Sequence, residues 1–382
     1  MKRVFIYWGL LGLLFWVAAC VDKISFKMDD TADFAIVVAG NITDQPGPYE
    51  VEVSRTFDLE AQAAVREPIT VKSVVMSDDA GNSETLTEIK KGTYHTNPQG
   101  LRGVVGRAYK LRVEMFDGRV YETTPDTMRP TGIVTDIRHQ LVDFTDAKGK
   151  PAYGFDIFFD AQAEKNKDLR FLWNLVMTYQ ITTNPEAHVI PCNIPTCPDP
   201  KTCKCYIYDP YPCSGFILND TTGMGEYVFP CECCQCWKEI RGQIPVVSNG
   251  ETLKNGIFTN LKAGRLPITA ETMMYKTHVE VQQYSLSPAA FNFWKAVRAQ
   301  KDAATSLFQP LSGKITGNFV QLEGTPGRLE GLFYASSVSK NSIVITVNDV
   351  PDIRLMITTR DTINTEPCMN VPGATILKPD FW

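Results

Sequence analysis

Cysteine is the side chain with the most chemistry to offer here, and the chain carries eleven of them in a very uneven spacing. Cys20 stands alone at the end of an apolar run. Nine lie close together, as Cys192-x4-Cys197-x5-Cys203-x-Cys205-x7-Cys213 and then Cys231-x-Cys233-Cys234-x-Cys236. Cys368 is isolated far downstream. Thiols at this density either hold a metal or pair as disulfides. A zinc or iron–sulfur site would need well-spaced ligand pairs. The segment has one C-x-x-C at Cys233–Cys236 and a nearby Cys203-Lys204-Cys205. It lacks a second knuckle, and no histidine follows His188 within it. Prolines at 191, 195, 198, 200, 210, 212 and 230 leave little room for regular structure. Such a segment cannot build its own apolar core, and cross-links would replace that core by restricting the unfolded chain. The expectation is therefore disulfides among Cys192, Cys197, Cys203, Cys205, Cys213, Cys231, Cys233, Cys234, Cys236 and Cys368, with no metal and no cofactor. Cys368 is either the tie to the distant C-terminal part or left free by local pairing.

Cys20 reads differently. Lys2 and Arg3 precede an apolar run from Val4 to Val17, and Ala18-Ala19 place two small residues before the cysteine. The run is too short for a comfortable transmembrane helix, and small residues at its end mark a cleavage site. A cysteine directly after that site makes residues 1–20 a lipoprotein signal, with Cys20 as the acylated residue. An exported protein meets an oxidising compartment, which agrees with the disulfide reading. The net charge is −5, and removing Lys2 and Arg3 makes the remainder more acidic still. No basic block stands out, so nucleic acid is an unsuitable partner.

Other catalytic patterns are thin. His95, His139, His188 and His278 are scattered, and there is no His-Glu-x-x-His or Gly-x-Ser-x-Gly. Ser337-Val338-Ser339-Lys340 matches Ser-x-x-Lys but lacks its companion motifs. Asp78-Asp79-x-Gly81-Asn82 could ligate calcium, but a β-turn explains the same residues. The cysteine-rich segment also carries Tyr206, Tyr208, Tyr211, Phe216, Tyr227 and Phe229. A cross-linked loop bearing aromatics can be a recognition surface, or its rings can cover the domain beneath. Tyr206, Tyr208, Tyr211 and Phe216 are the candidate contact residues.

The elements that position these residues read as β. Residues 21–32 are a polar tether. Val51 and Val53 alternate with Glu50, Glu52 and Ser54, and Tyr109, Leu111, Val113 and Met115 alternate with charged neighbours. Both have the period of half-buried strands. Asp117-Gly118 is a hairpin turn. Further strands are expected over 34–40, 69–76 and 86–89, so residues 33–130 are expected to form an Ig-like β-sandwich. Pro125 to Pro130 marks the boundary. Residues 131–382 form a larger β-rich domain, interrupted by the cysteine-rich insertion at 190–237. It contains one helix, capped by Ser287, with Pro288 in its first turn and Phe291, Trp294 and Arg298 on one face. That face is expected to pack on the sheet.

The ordered set of segments resembles the lipoproteins of Bacteroidota grouped as domain of unknown function 4249. The resemblance rests on Ile36 to Tyr49, Gly92-Thr93-Tyr94, the strand pair from Gly106 to Tyr121, Cys236-Trp237, Val279 to Trp294, Ile315-Thr316-Gly317-Asn318 and Leu329 to Ser336. It implies an outer-membrane lipoprotein commonly encoded beside a TonB-dependent receptor. It brings no catalytic residues. The expected function is a non-enzymatic, lipid-anchored binding or accessory protein that helps nutrient capture with a TonB-dependent β-barrel partner. The alternatives are an adhesion or structural surface lipoprotein and, third, an envelope hydrolase.

Overall fold

Alternate burial along Ala108–Glu114, where Tyr109, Leu111 and Val113 point inward, is the local pattern from which the first half of the molecule is built. A computed structural model describes residues 35–56, 66–146, 148–163, 170–191, 206–218, 224–242, 246–248, 253–254, 256–304, 315–356 and 364–382. Cys20 and the proposed signal and tether lie outside these residues. So do Cys192, Cys197, Cys203 and Cys205.

Strands that bury one face stack in pairs of sheets. In the first sandwich, one sheet runs Leu329–Ser336, Ile36–Thr43, Glu50–Thr56, Thr93–His95, Thr87–Lys90. Its partner runs Phe319–Glu323, Val120–Thr123, Ala108–Glu114, Ser73–Asp78, Ser83–Thr85. Val38, Val51, Val74, Met76, Leu111 and Phe333 fill the space between them. In the second sandwich, Ile133–Thr145, Pro151–Gln162, Ile257–Pro267 and Leu253–Lys254 face a sheet of Val338–Thr346, Lys276–Ser285, Phe171–Thr182, Gln235–Arg241 and Ala374–Thr375. Its core is aromatic. Trp173 packs 5.2 Å from Phe258, and its indole N–H donates to the buried Gln283 side chain at 2.7 Å. Burying that N–H without an acceptor would be costly, so Gln283 belongs to the core.

The first sandwich is not built from residues 33–130 alone. Leu329–Ser336 pairs in parallel with Ile36–Thr43, and Phe319–Glu323 pairs antiparallel with Val120–Thr123. Phe333 and Ala335 on the late strand are fully buried in its core. Gly331 permits that approach. It holds φ +119°, and a Cβ there would sit 1.8 Å from the Val38 carbonyl oxygen. The chain then passes through Ser337 alone into Val338–Thr346 of the second sandwich.

The two sandwiches are laced at that crossing. Ser285 and Ser337 hydroxyls both donate to the Arg129 carbonyl, at 2.6 and 2.8 Å. The Ser336 hydroxyl donates to the Ser285 carbonyl at 2.8 Å, and Val338 N–H donates to the Asp44 carboxylate at 2.9 Å. The helix Pro288–Ala304 starts as expected, with Ala290 N–H donating to the Ser287 hydroxyl. Its packing is broader than a single sheet. Ala290, Phe291 and Trp294 meet Leu172 of the second sandwich and Leu332 and Tyr334 of the first. The late strand thus turns Phe333 and Ala335 into the first core and Leu332 and Tyr334 toward the helix. Among the described residues, no helix is long and apolar enough to cross a membrane.

Candidate functional site

The insertion leaves the second sandwich at one strand and returns at its neighbour. Phe171–Thr182 pairs antiparallel with Gln235–Arg241, and Ile181 faces Cys236 across the ladder. The described residues between them, 183–191, 206–218 and 224–234, follow on from the Thr182–Gln235 end of that strand pair. Two short hairpins stand on this base. Val189–Pro191 pairs with Tyr206–Tyr208, and Phe216–Leu218 pairs with Gly225–Tyr227. Neither is long enough to be stable alone.

Three disulfides brace the described part. Cys213 pairs with Cys233, Cys231 with Cys234, and Cys236 with Cys368. The last ties the base of the insertion to the C-terminal segment across 132 residues. It is packed against Tyr179 and Ile181, and both its cysteines are fully buried. Cys368 N–H also donates to the Cys233 carbonyl at 2.9 Å, and Ala374–Thr375 extends the sheet beside Trp237 and Lys238. Cys233 and Cys236, the C-x-x-C of the metal alternative, and their neighbours Cys231 and Cys234 are therefore all disulfide sulfurs. Among the described residues, no cluster of three or more His, Cys, Asp or Glu side chains could hold a metal ion.

The four candidate contact residues separate. Tyr206 and Tyr208 are exposed on their hairpin, Tyr206 by 60%. Tyr211 is tied down. Its hydroxyl donates to the Glu366 carboxylate at 2.6 Å, and its ring lies 4.5 Å from the His188 ring. That hydrogen bond comes first among the causes that push the Tyr211 phenol up and hold the Glu366 carboxyl below its usual range. Tyr211 thus joins the insertion to the C-terminal segment, a bracing role. Phe216 packs 5.0 Å from Tyr227, and Gly225 makes room for it, since a Cβ there would meet the Phe216 ring at 2.0 Å. Aliphatic residues of the insertion, which carry no motif in the sequence, are exposed as well. Ile207, Ile217, Met224 and Val228 are all exposed, Met224 by 74%. Their signal was present but weak: large apolar residues in a segment too short and too proline-rich to bury them.

The weaker motifs resolve into structure. Ser337 is buried in the junction, and Lys340 lies 3.9 Å from Glu280, so Ser-x-x-Lys forms no catalytic pair. Asp78 closes a turn by accepting from Ala80 and Asn82 N–H, each at 2.9 Å, and Arg107 pairs with Asp78 and Asp79.

A family model described as a domain of unknown function, DUF4249, matches residues 21–342. No curated protein matches the chain.

Proposed function

We propose that this chain, which belongs to the DUF4249 family, is a non-enzymatic, lipid-anchored binding or accessory protein of the outer membrane that assists nutrient capture with a TonB-dependent transporter. The observation that carries this reading is the braced insertion. It holds exposed Tyr206, Ile207, Tyr208, Ile217, Met224 and Tyr227 on a covalent frame. Large apolar side chains left exposed within one short segment of a folded protein point to an interaction site. A frame fixed before binding lowers the entropy lost on binding, and tyrosines add apolar area with a polar tip. Cys20 would supply the anchor, leaving the folded body free to meet a membrane partner at short range.

The test is purification of the lipidated protein in mild detergent, with co-purifying proteins identified by mass spectrometry. A TonB-dependent β-barrel in stoichiometric yield, lost when Tyr206 and Tyr208 are replaced by Ser at unchanged melting temperature, is the expected result. Recovery of a matrix or surface polymer without a barrel would favour adhesion and overturn the transport role.

A further inference from the structure

The first sandwich carries a separate groove that does not depend on the role of the insertion. It encloses about 1110 Å³ beside Ser83–Thr85 and the loop from Asn97 to Arg102. One wall is the edge of a sheet. Among the described residues, Ser83–Thr85 pairs only with Ser73–Asp78, and the register places Ser83 opposite Ser77 and Thr85 opposite Val75. Asp78 N–H donates to the Asn82 carbonyl and Leu86 N–H to the Val74 carbonyl. Antiparallel ladders alternate, so Asn82, Glu84 and Leu86 direct their backbone groups inward, toward the neighbouring strand. Ser83 and Thr85 direct theirs outward, into the groove. Among the described residues, neither has a backbone partner on that side. Both residues are exposed.

The opposite wall is held rigid. The Glu84 carboxylate accepts from Asn97 N–H and from Leu101 N–H, the latter at 2.7 Å, which clamps the loop to the strand. Asp78 is likewise occupied by Asn82 and Arg107. Arg102 is different. Its Nε donates to the Asp44 carbonyl at 2.8 Å, and it forms no ion pair among the described residues. The groove therefore presents an open strand edge, the hydroxyls of Ser83, Thr85 and Thr87, and Arg102, a cation with no ion pair among the described residues. Its one aromatic ring among the described residues is the His95 imidazole, held by Glu50, so it lacks the phenol or indole platform that sugar rings favour.

We infer that this groove binds an extended peptide, added as a strand beside Ser83–Thr85, with an acidic residue directed to Arg102. Main-chain hydrogen bonds to Ser83 and Thr85 supply the affinity, and the cation supplies register. Open edges are normally blunted by proline, lysine or a bulge. This one carries neither proline nor lysine, and a cavity of about 1110 Å³ lies beside it.

The experiment selects binders to the full chain from a phage-displayed library of linear peptides of about six residues, the usual strand length. Enriched peptides are expected to carry Asp or Glu. Thr85→Pro removes an outward N–H at an edge position where proline fits the fold, and it should weaken the selected peptide at least about tenfold. Thr85→Ala keeps the N–H while removing the hydroxyl, and should lose far less than Thr85→Pro. Arg102→Gln should weaken binding several-fold and flatten its salt dependence. Should Thr85→Pro misfold, amide exchange in the parent decides, because the Ser83 and Thr85 amides must slow when the peptide saturates. The inference falls if no peptide is enriched or if Thr85→Ala loses as much as Thr85→Pro. It also falls if those amides stay unprotected, or if a neutral oligosaccharide binds there in place of peptide.

Discussion

Removing the Cys236–Cys368 bridge should cost more than removing the Cys231–Cys234 bridge, and the structure fixes the ratio. A cross-link acts mainly by denying the unfolded chain the conformations of an open loop, so its effect grows with loop length. For separations of 132, 20 and 3 residues, the chain-entropy relation gives about 5, about 3 and about 1.6 kcal/mol. Cys236 and Cys368 are also fully buried beside Tyr179 and Ile181, so replacing both sulfurs with alanine opens a small void and adds about 1 kcal/mol. Cys231 and Cys234 are only partly buried and add little on this account. The assay is equilibrium urea unfolding of the double variants Cys236→Ala/Cys368→Ala and Cys231→Ala/Cys234→Ala, with the other bridges oxidised. The first should lose roughly three to four times the free energy of the second. It should also unfold with a steeper denaturant dependence, because its unfolded chain exposes more surface. Equal losses, or a larger loss at the short bridge, would refute the reasoning.

Asp156 is almost buried between Lys262 and Arg265; burial alone would raise its carboxyl, but hydrogen bonds from Arg265 and Lys262 hold it below the usual range. Its contribution is therefore present above the unfolded carboxyl range and lost as pH falls through the depressed value. Asp156→Asn should cost about 1–2 kcal/mol at neutral pH and nothing in strong acid, read from unfolding midpoints. Asp126 has the opposite sign: burial at the junction raises its carboxyl although Ala335 N–H donates to it at 2.9 Å. Its ionised form is disfavoured in the fold, so stability from this group falls as pH rises from the unfolded carboxyl range through the folded value. Asp126→Asn, which keeps an acceptor, should leave the neutral-pH melting temperature unchanged or higher, whereas Asp126→Ala should lower it. Tyr211→Phe should let the Glu366 carboxyl rise toward its ordinary range in an NMR titration. Residues 33–130 expressed alone should fail to unfold cooperatively, since Phe333 and Ala335 are missing from the core; a sharp two-state transition in that fragment would count against the shared sandwich.

Strand identity was legible wherever one face is wet, because alternation at Glu50–Thr56 and Ala108–Glu114 leaves a direct trace in residue type. Partners were not legible. The parallel pairing of Ile36 with Leu329 joins residues from distant parts of the sequence, and neither strand's own pattern names the other. The strand expected over Leu86 to Ile89 shows a second loss. Leu86 is a buried pivot between Ser83–Thr85 in one sheet and Thr87–Lys90 in the other, so the open edge at Ser83 and Thr85 had no sequence mark. Among the cysteines, crowding announced disulfides without assigning them. In the aromatic loop, Tyr211 looked like Tyr206 and Tyr208 until its partner Glu366, 155 residues away, was placed beside it.

The junction couples the sandwich that carries the groove to the sandwich that carries the insertion. A pair of sandwiches joined by a simple linker would move independently, because interfaces within a chain are commonly small and polar. Here the connection is not a linker. One strand leaves the first sheet and enters the second through Ser337, whose hydroxyl and N–H are both engaged by Arg129 and Ser285. The helix Pro288–Ala304 then packs against apolar residues of both sheets. Moving one sandwich relative to the other would strip partners from buried hydroxyls, at the cost of unpaired polar groups in a dry interior. The groove beside Ser83 lies on the first sandwich and the braced insertion on the second, so the buried serines fix their separation and orientation. A partner that engages both would meet a preset geometry and would lose less entropy than on two hinged domains.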